Sequence, residues 1–494
     1  MGIVRKQSIK STIITYAGFV IGALNYYLLA RFFTKQEVGL TRILFNVCSI
    51  LAGLCALGSI PMFTRFFPYY RDKAKKGMHE LLFWTVVINF FGFLLMVFFS
   101  LIFRHLIIRK FIGNSALFIQ YFYLIYPFTF FLVAYNVYEN YANNLHRTAL
   151  TSFLRETVMR ITVLACIALY LFRLIGFGLF IHLFSLVYGV IFLVLLFYLF
   201  SIRHFGLEYQ ASPVTRSLYK RMALYGTFMF GGSVFMLVSQ NIDGIMIGSL
   251  KGLQYTAVFE LANYISMVIM VPQRSISAIA SPLIAASWKE NDLAAIANLY
   301  RKSAMTQLIL GIGILGVIWI NADNIFHFLP AYKDGKYIIL VLGLARVIDL
   351  GTGLNYQILL NSRMWKLDFI TSVILVIAFI FLNYVLIRKY GMIGSAWSTL
   401  MAMTVYNGLR YIFIKWKFGL QPFTSKTLLA LISGLVSWQL SSRIPWAGNI
   451  YLDIFVRTVL FVLIFGTCTL GLHLSQDMDQ TWHKLLVRIK VKSR

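Results

Sequence analysis

Residues 81–103 read LLFWTVVINFFGFLLMVFFSLIF, 23 positions in a row without a charged side chain. As a helix rising ~1.5 Å per residue this stretch is about as long as a bilayer's ~30 Å hydrocarbon core is thick. Thirteen further apolar stretches flank it, at about 11–30, 41–63, 117–138, 157–172, 178–200, 223–249, 256–280, 304–320, 336–360, 368–387, 394–414, 427–442 and 451–472. With 59% hydrophobic and 13% charged residues and a mean hydropathy of +0.76, the chain cannot close around a water-soluble core without leaving large apolar surfaces in water. The sequence therefore predicts an all-α integral membrane protein of about 14 transmembrane helices, because lipid-facing backbone must find its hydrogen-bond partners within its own segment. The stretches at 157, 304 and 427 are short. The one at 223 is long and carries Gly226, Gly231, Gly232, Gly244 and Gly248, which predicts bending or local unwinding there.

An N-terminus in the cytoplasm assigns about 27 Lys and Arg to inside segments and about 12 to outside ones, so the positive-inside rule puts both termini inside. The clearest inside segments are the loop with Arg71, Lys73, Lys75 and Lys76 and the tail with Lys484, Arg488, Lys490, Lys492 and Arg494. The net charge of +28 follows from this topology and from anionic lipid, which argues against a nucleic-acid partner. No cleavable signal precedes the first stretch, which reads as an uncleaved anchor. Cys48, Cys55, Cys166 and Cys468 all lie within apolar stretches, and no His or Cys cluster has ligand spacing, so no metal and no cofactor is expected.

The connecting segments repeat. Gly39 in Glu37-Val38-Gly39-Leu40 corresponds to Ala257, and Arg71-Asp72 to Lys289-Glu290, both 218 residues on; Arg147 corresponds to Arg363 and Gly178 to Gly394, both 216 on. Four anchors in register predict two six-helix lobes, 1–202 and 223–414, with a cytoplasmic linker at 203–222 and spans 13 and 14 plus the basic tail at 415–494. An even number of spans between copies makes the lobes related by an axis along the membrane normal.

The run Leu29-Ala30-Arg31-Phe32-Phe33-Thr34-Lys35-Gln36-Glu37-Val38-Gly39-Leu40, with Arg65, Asp243 and Lys389-Tyr390-Gly391-Met392-Ile393-Gly394-Ser395-Ala396, resembles the polysaccharide and O-antigen flippases. These are the Wzx-like branch of the multidrug/oligosaccharidyl-lipid/polysaccharide exporter superfamily. The resemblance covers essentially the whole chain, and Gly176-Phe177-Gly178 is a shortened version of the turn at Gly391 to Gly394. It implies two lobes forming a V, a central cavity, and alternating-access export of a polyprenyl-pyrophosphate-linked oligosaccharide across the bacterial inner membrane for surface polysaccharide or lipopolysaccharide. Polysaccharide polymerase and glycosyltransferases are the implied partners.

A charge at membrane depth costs ~2.5–3.5 kcal/mol on insertion scales, so each needs a partner or water. Helical spacing puts Glu260, Asn263, Met267, Met270 and Arg274 on one stripe, and Arg346, Asp349, Gly353 and Gln357 on another. A pyrophosphate headgroup needs a hydrated, cationic passage, which arginine suits through its bidentate fork. The passage candidates are Arg65, carried over from the family pattern, with Arg274, Arg346, Asn25, Tyr264 and Asn355; Tyr26 and Asn136 are further sugar contacts. Asp243, Glu260 and Asp349 are the carboxylates available for ion coupling. Arg346 and Asp349 have an equal reading as a structural i, i+3 pair, and Asp243 as a polar contact holding span 7 against span 8. Gly18 and Gly22 read as a close helix approach, while Arg42, Arg160, Arg410 and Glu139 read as snorkelling from span ends.

Two other functions compete. A cation-coupled drug exporter of the same superfamily would want an acidic cavity, whereas arginines here match or outnumber buried acids. A membrane glycosyltransferase or polymerase would need a sizeable external loop bearing acids or bases, and no external loop exceeds about 17 residues. The chain is therefore expected not to be an enzyme.

Overall fold

The computed structural model describes residues 2–71, 75–202, 205–362, 364–444, 448–475 and 478–479. Asp72, Lys73, Arg203, Arg363 and the tail cations from Lys484 onward lie outside them. Among the described residues the secondary structure is entirely helical. All fourteen apolar stretches fall on helices, and the protein is a multi-pass membrane protein. Eight helices among the described residues are long and apolar enough to cross a bilayer, including Met78–Ile102 over the stretch at 81–103, and a bent pair, Pro330–Gly351 with Asn355–Asn361, makes a ninth if it is one span. Several of the others are interrupted: a 3₁₀ turn Phe122–Leu124 divides the stretch at 117–138, and a π turn Leu154–Val158 leads into Met159–Leu171.

The family-like motifs have local physical reasons. Thr34 caps the helix Lys35–Cys55 with a reciprocal box: its backbone N–H donates to Glu37 Oε2 at 2.8 Å, and its Oγ1 accepts from the Glu37 N–H at 3.3 Å. Two residues on, a Cβ at Gly39 would overlap the Leu253 carbonyl. At the other motif, Gly391 takes φ 68°, ψ −147° between Trp365–Tyr390 and Met392–Phe418, and a Cβ at Gly394 would overlap the Leu386 carbonyl. The shortened turn is free of this demand: Gly176 is extended at φ −84°, ψ 170°, and a Cβ at Gly178 would meet only Tyr121 OH at 3.5 Å.

The chain divides into two compact units, Met1–Ala257 and Val258–Arg494. This division lies beyond the 203–222 segment expected to join the lobes. Pro213 already opens a helix, Pro213–Leu250, which belongs to the first unit. The sequence predicted bending or local unwinding in this helix; it is helical without interruption for 38 residues, so it is not unwound. Two of its glycines, Gly226 and Gly248, serve contact, while a Cβ at Gly232 would meet nothing within 4 Å. Gly226 faces Gly58, and a Cβ at Gly248 would meet Ile43 Cδ1 at 2.6 Å. Glu80, 2% exposed, fixes the start of this helix, accepting from the Ser212 N–H at 2.9 Å and from Thr215 Oγ1 at 2.5 Å.

Gly58 carries a double demand: φ is +75°, and a Cβ would overlap the Gly226 carbonyl. Gly58→Val therefore adds left-handed strain of ~1–3 kcal/mol to a steric clash with the backbone of the helix Pro213–Leu250. It is expected to cut the yield of folded protein several-fold, read by size-exclusion of the detergent extract, with Gly176→Val unaffected as control.

Candidate functional site

In the second unit, the crossing at 336–360 is broken. Helices Lys336–Gly351 and Asn355–Asn361 meet at 47°, and Gly353 in the corner takes φ +66°. Breaking a transmembrane helix frees backbone groups that need other partners. The fully buried Asn407 of the facing helix Met392–Phe418 braces the corner: its Nδ2 donates to Asp349 Oδ1 at 3.0 Å, and its Oδ1 accepts from Asn355 Nδ2 at 2.8 Å and Thr352 Oγ1 at 3.1 Å. One turn before Asp349, half-buried Arg346 donates from Nη2 to Asn263 Oδ1 at 3.4 Å. Beyond the corner, Gln357 Nε2 donates to Ser277 Oγ at 3.0 Å. Arg346, Asp349, Asn355 and Asn263 are thus gathered in one unit, whereas the continuous stripe expected for Arg346, Asp349, Gly353 and Gln357 is divided by the bend.

The stripe from Glu260 to Arg274 is divided as well. A 3₁₀ turn at Val268–Met270 separates Leu253–Met267, which carries half-buried Glu260 and Tyr264, from Val271–Lys289, where Arg274 is exposed. At three residues per turn the 3₁₀ segment shifts the α-helical register, so Arg274 does not continue the face of Glu260 and Asn263.

In the first unit, exposed Arg65 places its guanidinium 4.3 Å from the centre of the Tyr225 ring. Asn25 is buried and donates from Nδ2 to the Arg160 carbonyl at 2.8 Å. Asp243 is half-buried in Pro213–Leu250. The close approach expected of Gly18 is present: a Cβ there would press on the Glu156 carbonyl.

The densest charge cluster was not predicted as such. The π turn Leu154–Val158 carries Arg155 and Glu156 side by side; Arg155 Nη1 lies 2.8 Å from Glu139 Oε2, and Arg160 Nη2 lies 2.8 Å from Glu156 Oε2. Two residues read as snorkelling, Glu139 and Arg160, are therefore partners in ion pairs. Arg410, read the same way, is only 3% exposed and packs over Tyr406 with 3.9 Å to the ring centre; aromatic faces hold its cation where headgroups were expected. Arg42 stacks on Tyr26 at 3.6 Å. The i, i+4 spacing of Glu156 and Arg160 was a legible signal. The pairing of Glu139 with Arg155 crosses a loop and was not. Arg155 also reaches a cavity of ≈ 210 Å³ lined by Phe45, Ser49, Asn136, Tyr188 and Ser233 among others.

Asn407→Leu keeps the branched side-chain shape and strips partners from Asp349 and Asn355 together, while Thr352 keeps its bond to the Asp349 carbonyl at 2.8 Å. At ~1–3 kcal/mol for each buried polar group left unpaired, it is expected to lower the melting temperature of the purified protein by several degrees, whereas Thr404→Leu, on the exposed face of the same helix, leaves it unchanged.

Residues 4–288 match the family described as "Polysaccharide biosynthesis protein", and residues 229–386 match MatE. Among solved structures, the lipid II flippase MurJ in an inward closed conformation aligns over 93% of this chain and 98% of its own, with TM-score 0.72 and 15% identity. An inward-facing multidrug resistance MATE family transporter of the MOP superfamily aligns over 83% of this chain and 98% of its own, with TM-score 0.68 and 14% identity. At such identity the likeness is one of fold. No curated protein sequence matches the chain.

Proposed function

We propose that this chain, which belongs to the polysaccharide biosynthesis protein family, is a flippase that moves a polyprenyl-pyrophosphate-linked oligosaccharide from the inner to the outer leaflet of the bacterial cytoplasmic membrane by alternating access. The observation that carries the reading is the family match over 4–288. The fold shared with a lipid II flippase supports a lipid-linked cargo, and so does the chemistry of the broken helix. Discontinuous transmembrane helices build transporter sites because their corner offers polar backbone and side chains at membrane depth. Here that corner carries a cation at Arg346 and amides at Asn263, Asn355 and Asn407, which suit a phosphate and a sugar respectively. Arg65 and Arg274, both exposed, would meet the headgroup on its way, with anionic lipid around the basic loops. Asn25 and Tyr264 complete the passage. Asp243, with Glu260 and Asp349 behind it, is the coupling carboxylate. The glycan enters polysaccharide, O-antigen or lipopolysaccharide assembly, between glycosyltransferases that build it and a polymerase that consumes it.

Cells lacking the protein should accumulate lipid-linked oligosaccharide on the cytoplasmic leaflet and lose surface glycan. Unchanged surface glycan with lost resistance to cationic drugs would favour the second reading, a drug exporter, which the MatE match over 229–386 supports.

The orientation goes with this reading. Single cysteines near Gly113, Lys333 and Gly448 should react with an impermeant maleimide from outside, and those near Lys75, Arg216 and Lys417 should not. Labelling of the second group would reverse the topology.

A further inference from the structure

The first-unit cavity holds Asn136, already read as a sugar contact, but none of the passage cations Arg65, Arg274 and Arg346, and its chemistry differs from that of a phosphate site. We propose that this cavity is a sugar subsite: it takes one neutral sugar ring of the cargo, gripped by Arg155 and Asn136. The inference rests on the flippase reading and names where the glycan, rather than the pyrophosphate, is held.

Size is the first argument. At ≈ 210 Å³ the cavity is smaller than the ~300–1,000 Å³ pockets that hold drug-sized ligands, which suits a single ring. Charge is the second. Arg155 Nη1 is 2.8 Å from Glu139 Oε2, and the neighbouring Arg160 is likewise neutralised by Glu156 at 2.8 Å. The cluster balances to zero, so a phosphate dianion would meet a carboxylate directly behind its arginine. A polyol has no such conflict. An arginine held from one side by a carboxylate is fixed in place while its remaining N–H groups, on a side chain 46% exposed, stay available to hydroxyl oxygens.

The third argument is the remaining lining. The Asn136 carboxamide, half-buried at the cavity wall, has no hydrogen-bond partner among the described residues, and it offers a donor and an acceptor, the two roles a sugar hydroxyl needs. Ser49 already donates to the Phe45 carbonyl at 2.7 Å, which leaves its oxygen as an acceptor facing the same space. Phe45 and Tyr188 supply ring surface for the apolar face of a pyranose. The π turn matters here because its extra residue places Arg155 toward Glu139 while Glu156, next in sequence, pairs with Arg160.

Saturation-transfer NMR on the purified full-length protein tests this with free sugars: glucose, galactose, N-acetylglucosamine, N-acetylgalactosamine and rhamnose, each at millimolar concentration. At least one should give ring-proton signals in wild type that fall at least tenfold in Asn136→Leu and in the double variant Glu139→Gln/Arg155→Met, which removes both charges together so that neither is buried alone. Equimolar inorganic pyrophosphate should not displace the sugar. The proposal is overturned if no sugar gives a signal sensitive to these variants, or if pyrophosphate displaces it. The flippase reading fails separately: sugar bound here without translocation of lipid-linked cargo in vesicles sinks that reading alone, and translocation without sugar binding here sinks only the subsite.

Discussion

Arg346→Ala is expected to abolish glycan export while the protein remains in the membrane at its wild-type level. The guanidinium sits mid-helix just before the break at Gly353, half-buried, with Nη2 3.4 Å from Asn263 Oδ1. A charged hydrogen bond is worth ~1.5–3 kcal/mol net, so losing one to the passing pyrophosphate corresponds to a ~10–150-fold loss of rate. Losing the Arg346 cation also weakens the longer-range attraction that brings a headgroup with two phosphates into an apolar environment. Arg346→Lys keeps the charge without the fork and should retain partial export. Export that survives in Arg346→Ala, or a protein that fails to fold, would assign Arg346 to a structural role. Immunoblotting of membranes beside surface-glycan staining separates these outcomes.

Asp243→Asn is expected to leave cargo binding intact while removing the dependence of transport on a proton or sodium gradient. An alternating-access transporter must link its opening to a source of free energy, and linkage to an ion gradient needs a carboxylate whose protonation or occupancy differs between states. Asp243 lies in the longest helix of the structure, in a stretch where Gln240, Asn241 and Gly244 surround it in sequence and Asn241 Nδ2 is held by the Leu237 carbonyl at 2.8 Å. Asparagine mimics the protonated acid at nearly constant volume. Gradient dependence that survives the substitution in reconstituted vesicles would remove Asp243 from the mechanism.

The sequence was most legible where one local rule decides the outcome. Apolar length alone placed all fourteen stretches on helices, of which eight, or nine with the bent pair, are long and apolar enough among the described residues to cross a bilayer. The Thr34 to Glu37 capping box and the glycine corner at Gly391 could be read from four or five residues, because cap and turn chemistry is local. The helical stripes were half right. Glu260 and Asn263 do share a helix, and so do Arg346 and Asp349, but the extrapolation to Arg274 and Gln357 assumed an unbroken α-helix. The 3₁₀ turn at Val268–Met270 had a signal in Pro272, which cannot donate to the Val268 carbonyl, whereas Gly353 is compatible with either a continued or a broken helix. The glycines of Pro213–Leu250 misled in the opposite sense: they are as compatible with close packing as with flexibility, and only the partners at Gly58 and Ile43 decide. Asn407 stayed invisible because its three partners come from another helix, more than 50 residues away. The Glu139 and Arg155 pair, 16 residues apart across a loop, was likewise not a helical-spacing signal, which let span-end position suggest snorkelling instead.

The central claim is that the protein carries a lipid-linked oligosaccharide across a bilayer. Its most direct test is a vesicle assay with the purified protein and a polyprenyl-pyrophosphate oligosaccharide whose sugar bears a dithionite-sensitive fluorophore, placed in both leaflets. Without flipping, dithionite added outside quenches about half the signal. Active flippase should carry the quench toward completion, with Arg346→Ala vesicles staying near half. A quench that stops at half in wild-type vesicles containing folded protein, under every imposed proton or sodium gradient, would contradict the account.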